Sequence, residues 1–267
     1  SSDGPQGGLQ NVSGNTVIGG LINLFNQGGG HTRIRGDGGS LTLNGDIRIV
    51  PVADHAATTG NRNLLLDGVL GGVINGSIRG PELLEDTRLL LLFKEGPGTW
   101  VLNGQNTYRG ATTISEGTLK LGPVASIAAT PSITLLSAAV LDVSEQPGFS
   151  LASGQTLTGQ GGVVGNLTVG TGSTVVPGAA LSAGTLAITG DLAFAGGRAN
   201  VSLTTSTVAG QGINDLVTVA GDLDITSATT IELLTNGHLL GGSYTLVEYG
   251  GQFTGDTALL TLVNPTR

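Results

Sequence analysis

The sequence predicts an all-β solenoid, and three observations carry the prediction. Apolar residues recur two apart in short runs, glycine punctuates the ends of those runs, and the runs return on a scale of roughly 20 residues. Glycine supplies 47 of 267 residues, while aromatic residues make up 3% and charged residues 11%. A disordered chain is poor in Val, Ile and Leu and rich in charge, the reverse of what is found. Collagen is excluded because glycine has no three-residue period and only nine prolines occur.

The runs include Leu41–Leu43, Thr118–Leu121, Leu167–Val169, Leu186–Ile188, Leu192–Phe194, Val201–Leu203, Val217–Val219, Leu223–Ile225 and Ile231–Leu233. Each alternates apolar residues with small, polar or charged ones, the pattern of a strand with one buried face. Strands this short cannot bury a core alone, so neighbouring coils must stack. Leu119, Leu121, Leu186, Ile188, Leu192 and Phe194 are expected to point inward and Ala187 outward. A narrow interior suits Val, Ile, Leu and Ala and leaves little room for Trp. Asn-Gly follows an apolar strand end at Asn44, Asn75 and Asn103, and is read as a tight corner in which both residues tolerate left-handed backbone. Gly-Asp opens a strand at Asp46, Asp191 and Asp222, where the carboxylate can hydrogen-bond the turn backbone. Pro81–Asp86 reads as one helical turn and Pro51–Asn63 as a loop leaving the solenoid. No linker interrupts the pattern, so residues 1–267 are expected to form a single β-helix domain.

The net charge is −8, from 11 basic and 19 acidic residues, and only Lys94 and Lys120 are lysines. No clustered basic footprint for nucleic acid is visible, and an anionic membrane surface would be repelled. The absence of cysteine excludes disulfides and thiolate chemistry and fits a chain exported unfolded. Without a starting Met the chain reads as a processed or truncated product whose signal peptide has gone. No apolar stretch of ~18 residues is present, so no membrane insertion by a helix is expected.

Residues 94–122 resemble the autotransporter-associated β-strand repeat, also called the passenger-associated transport repeat, of bacterial surface proteins. Lys94, Gly96, Gly98, Thr99, Leu102, Gly104, Asn106, Thr107, Tyr108, Gly110, Thr112, Thr113, Gly117, Thr118, Leu119 and Gly122 carry the resemblance. Phe149–Gly161 through Val176–Gly178 resembles the stretch that commonly comes after that repeat, and Ser243–Tyr249 resembles the end of such regions. The resemblance implies a right-handed parallel β-helix at the cell surface or outside the cell, structural or adhesive, with no catalytic residues and no cofactor. The membrane barrel of an autotransporter is missing: either it has been removed, or the protein belongs to relatives that lack it.

No hydrolase elbow, zinc-protease motif or Walker loop is present. Gly159, Gly161, Gly162 and Gly165 are read as turn glycines, since no helix follows. His31, His55 and His238 lie far apart and suggest no metal site. Asp222 and Asp224 would share a strand face about 7 Å apart, a spacing open to a glycosidase pair but better explained for Asp222 by turn capping. The other candidate for an enzyme is the charged group Asp54, His55, Asp67, Arg79, Glu82, Glu85, Asp86 and Arg88, by analogy with polysaccharide lyases on β-helices. Solvated loops are the simpler reading of that group. Surface polysaccharide or a host or cell surface is the expected partner class. The uncharged run Leu9–Ile18 and the apolar run Ala258–Val263 suggest in addition end-to-end self-association, because a solenoid leaves strand edges at its ends.

Overall fold

The computed structural model describes residues 8–24, 31–50, 60–81, 86–179, 182–235 and 239–263. The expected loop over 51–63 is described only from Gly60, and the expected helical turn over 81–86 only at its two ends. The chain divides into two compact units, Ser1–Pro131 and Ser132–Arg267. Each is a parallel β-helix whose coils carry three strand faces.

In the N-terminal unit the first face stacks Leu9–Asn11, His31–Gly36, Arg62–Asp67, Leu90–Lys94 and the start of Thr112–Leu121. One inward column on it runs Leu9, Ile34, Leu66, Lys94, Ile114. The second face aligns Ile18, Leu43, Ile74, Leu102 and Leu121, and the third aligns Ile22, Ile47 and Ile78. In the C-terminal unit the corresponding columns are Ile133–Leu157–Val175–Ala199–Ile231–Leu262, Leu141–Val163–Ile188–Val219–Tyr249 and Leu151–Val169–Phe194–Ile225. All these pairings are parallel. Coils vary more than the period near 20 suggests: Leu157 pairs with Val175, 18 residues on, but Ile34 pairs with Leu66, 32 residues on. The extra length sits in corners such as that between Leu203 and Leu216.

All six residues expected inward are no more than 2% exposed, and Ala187 faces solvent. Trp100 departs from the expectation of a lumen without room for an indole. It is fully buried, because the neighbouring coil places Gly72 opposite it, and a Cβ there would come within 2.9 Å of the ring. The indole Nε1 donates to the Asp67 carbonyl at 3.0 Å. The Asn-Gly corners also work differently from the sequence reading. Gly45, Gly76 and Gly104 do not have positive φ. Instead, a Cβ on each would lie 2.1–2.3 Å from the carbonyl oxygen of Gly20, Gly45 and Gly76 in the preceding coil. Glycine is required there for close stacking of coils rather than for left-handed backbone. The asparagines beside them form an amide ladder, Asn103 Nδ2 donating to Asn75 Oδ1 and Asn75 Nδ2 to Asn44 Oδ1, both at 2.7 Å.

The register can be tested by placing one new residue at adjacent positions. Ile188→Asp buries an unpaired carboxylate and should cost several kcal/mol, on the order of the largest single-mutant effects. Ala187→Asp, exposed on the other side of the strand, should be nearly neutral in a thermal melt. Equal losses would show the register to be wrong.

Candidate functional site

The Gly-Asp openings are corner devices. Asp191 donates its amide to Asn166 Oδ1 (3.0 Å), Asp222 donates to Asp191 Oδ1 (2.9 Å), and Gln252 donates to Asp222 Oδ1 (2.7 Å). Each oxygen occupies the space that a Cβ on the next coil's glycine would need, at Gly190, Gly221 and Gly251. Asp46 plays the same part for the Ser77 amide at 2.7 Å. Asp224 accepts from the Thr254 hydroxyl on the outer face. Gly159 closes one strand and Gly162 opens the next, with Gly159 and Gly165 at positive φ, so this stretch is strand, turn and strand.

The described members of the charged candidate fall into three groups. Asp67 takes Arg33 Nη1 at 2.7 Å and the Gly68 amide at 2.6 Å, with Arg35 Nε at 3.8 Å. Arg79 Nη2 pairs with Asp46 Oδ2 at 2.8 Å. Asp86 and Arg88 form a buried pair, with Arg88 Nη2 2.5 Å from Asp86 Oδ2 and 2.9 Å from the Val50 carbonyl. Hydrogen bonds from Arg88 hold the Asp86 carboxyl below its usual range, and Asp86 in turn raises Arg88. Asp54, His55, Glu82 and Glu85 lie outside the described residues, as does His238. His31 is exposed and meets Phe93 edge-on, ring centres 6.3 Å apart. Among the described residues no three His, Asp or Glu side chains gather as a metal cluster, and no helix is long and apolar enough to cross a membrane.

Three buried ionisable groups were not singled out as sites by sequence reasoning. Arg62 and Lys94 occupy inward positions of apolar strands, so the two-residue period itself marks them. Arg62 donates through Nη1 to the carbonyls of Gly60 and Asn61, and burial, then Arg88, lowers its pKa. Lys94 is fully buried, and its Nζ donates to the carbonyls of Glu95, Gly96 and Glu116 at 2.7–2.9 Å. Burial pushes the ammonium down to about 8, against the opposing pull of Asp67, Glu116 and Glu95. Asp215 is buried where the Leu203–Leu216 corner closes, accepting from the amides of Gly184 (2.8 Å) and Ser202 (2.6 Å); burial raises it to about 6. No sequence signal distinguishes it from an ordinary turn aspartate.

The last coil of the C-terminal unit surrounds an open apolar cavity of about 330 Å³, lined by Ile225, Ile231, Val247, Tyr249, Phe253 and Leu262 among others. Residues 92–121 match the passenger-associated-transport-repeat family. The chain carries that repeat. An autotransporter adhesin, BmaC, of Brucella suis biovar 1 (strain 1330), is 29% identical over 182 residues, which is 64% of this chain but 5% of the adhesin. The chain thus spans a small fraction of the relative it matches.

The fold explains why the repeat has its composition. It is one short coil whose two ends pair with each other, Leu92–Lys94 with Thr112–Ile114 and Thr99–Leu102 with Thr118–Leu121. Lys94 ties the two corners together through Glu116. Gly117 has a positive φ of 64°, and a Cβ on it would lie 2.6 Å from the Gly96 oxygen. Tyr108 fills the lumen and shares a 2.7 Å hydrogen bond with Thr112, whose hydroxyl donates to Thr130 (3.3 Å), which donates to the Gly110 carbonyl (2.6 Å). Asn106 takes the Ile78 amide and donates to the carbonyls of Gly104 and Ser126, stitching three coils.

Two measurements test these buried groups. Asp86→Asn removes the charge that Arg88 meets through Nε and Nη2 and should lower stability by about 3–5 kcal/mol in urea unfolding; Arg79→Gln, at a half-exposed pair, should cost under about 1 kcal/mol. Asp215 has its pKa raised from 3.8 to about 6, so its contribution is full below pH 3.8 and is lost as pH rises through about 6. The stability of the wild type relative to Asp215→Asn should therefore be greater at pH 4–5 than at pH 7. A pH-independent difference would refute that assignment.

Proposed function

We propose that this chain is an extracellular structural and adhesive element, a β-helix that presents its outer faces at a bacterial surface, and that it is not an enzyme. The passenger repeat and the similarity to part of an autotransporter adhesin support the location and the adhesive role. The observation that carries the reading is how the outer side chains are used. On the first face of the C-terminal unit one outward column runs Ser132, Thr156, Thr174, Arg198, Thr230, Thr261. Hydroxyls stacked at strand spacing, interrupted once by Arg198 in its pair with Glu232, make a polar, stiff-side-chain surface suited to glycan or protein surfaces. The described carboxylates of the enzyme alternative are meanwhile engaged in corners and ion pairs.

Beads coated with the folded chain should adhere saturably to host-cell or polysaccharide-coated surfaces, and beads coated with heat-unfolded chain should not. Retention no better than on bare beads would sink the adhesive reading. Release of unsaturated products from an acidic polysaccharide in the presence of Ca²⁺ would establish the polysaccharide-lyase alternative instead.

A further inference from the structure

The Asn-Gly corners of the N-terminal unit stack one above another, and their amide ladder has a direction. Asn103 Nδ2 donates to Asn75 Oδ1, and Asn75 Nδ2 donates to Asn44 Oδ1, both at 2.7 Å. In the coil before Asn44 the same corner is Gly19–Gly20: Ile18 pairs with Leu43, and the Asn44 amide donates to the Ile18 carbonyl. Position 19 has no side chain to continue the ladder, so Asn44 Nδ2 bonds to no described residue. The ladder ends within the described coils, at a glycine rung.

An asparagine followed by glycine can close on itself. The glycine nitrogen bonds to the side-chain Cγ, the Cγ–Nδ2 bond breaks, and Nδ2 leaves as ammonia carrying the glycine nitrogen's proton. Water then opens the resulting succinimide to aspartate or isoaspartate, with no change of oxidation state. Glycine permits the approach because it has no Cβ. The amides of Gly45, Gly76 and Gly104 donate to no described acceptor, so all three nucleophiles are available. What differs is the side chain under attack. Negative charge develops on Oδ1, where a donor lowers the barrier, and Nδ2 must depart. Asn44 has a donor on its Oδ1 and no bond to break at its Nδ2. Asn75 has the donor, but its departing nitrogen is bonded to Asn44. Asn103 is held through its nitrogen in the same way and is half-buried, whereas Asn44 is exposed. The products differ as well. A carboxylate at position 44 still accepts from Asn75 Nδ2, now with charge assistance. A carboxylate at position 75 or 103 would lose its donor and set oxygen against the oxygen of the rung before it.

We propose that Asn44–Gly45 is a self-modification site: the fold leaves it open to deamidation and shields the equivalent pairs at Asn75 and Asn103. The co-reactant is water alone. Conversion leaves one further fixed negative charge at an outer corner of a chain already at −8, and the ladder survives it.

The test holds the folded full chain at mildly alkaline pH in heavy-oxygen water and follows label uptake at each Asn-Gly pair by peptide mass spectrometry. The pair at Asn236 lies outside the described residues and takes no part in the comparison. Asn44 should convert about two- to tenfold faster than Asn75 and Asn103, the factor that one hydrogen bond on the departing nitrogen imposes. In urea the three rates should draw level, because the ladder is gone. Gly19→Asn supplies the missing rung: a Cβ there meets nothing within 4 Å, and Gly19 does not have a positive φ. With its nitrogen bonded, Asn44 should slow to the rate of Asn75, and the new side chain at position 19, which Gly20 follows, should become the fast one. A folded wild type in which Asn75 or Asn103 converts as fast as Asn44 overturns the proposal. So does a Gly19→Asn chain that melts like the wild type while Asn44 keeps its original rate.

Discussion

Coil-on-coil hydrogen bonding at one strand spacing, about 4.8 Å, governs this molecule. Each coil must approach the last that closely over its strands and its corners alike, and corners have less room than strands. Where backbone crosses backbone, any Cβ collides with a carbonyl, as at Gly45 against Gly20 and Gly76 against Gly45. Glycine removes the atom, and an Asn or Asp beside it bonds its counterpart or a backbone amide in the neighbouring coil. In the N-terminal unit the ladder Asn44–Asn75–Asn103 joins side chain to side chain, and in the C-terminal unit Asn166 and Asp191 accept the backbone amides of Asp191 and Asp222.

The same constraint sorts the interior. Lumen positions repeat every second residue, so a polar residue there is surrounded by apolar columns and must be satisfied by main chain close at hand. Lys94 and Asp215 meet that demand in opposite ways: the ammonium gathers three carbonyls, and the carboxylate gathers two amides. Both sit where strands turn a corner and backbone groups are left without ladder partners. Burying an ionised group is expensive, and the shifted pKa of each group records that cost. These residues fix the path of the corners, so their charge serves the fold before any chemistry.

Much of the fold was legible because a two-residue period has only one meaning in strands that bury one face. Leu119, Ile188 and Phe194 could be assigned inward from their neighbours alone. What the period cannot report is distance along the coil axis. For that reason the Asn-Gly corners looked like left-handed turns when they are close crossings, and the lumen looked too narrow for Trp100 although Gly72, 28 residues away in sequence, makes the space. The described members of the charged candidate separate for a related reason. Asp67, Arg79 and Asp86 are near in sequence, but the coil carries them to different places: Asp67 and Arg79 find partners in a neighbouring rung, and Asp86 pairs with Arg88 two residues on. Asp222 could be read correctly because its Gly-Asp setting recurs.

A solenoid built this way has little freedom left inside with which to acquire function. Lumen and corner positions are dictated by stacking, and a substitution there is paid in stability. Outward positions answer only to solvent and to their neighbours one rung away, so this is where sequence can vary. The outward column from Ser132 to Thr261 shows which residues such a surface favours. Threonine is stiff at χ1 and loses little freedom on contact, whereas Lys loses far more rotamer entropy when immobilised. A face of aligned hydroxyls therefore presents many weak polar contacts with little ordering to be done. Its strength grows with the number of rungs that touch at once, so lengthening the array strengthens attachment without any change to a single site.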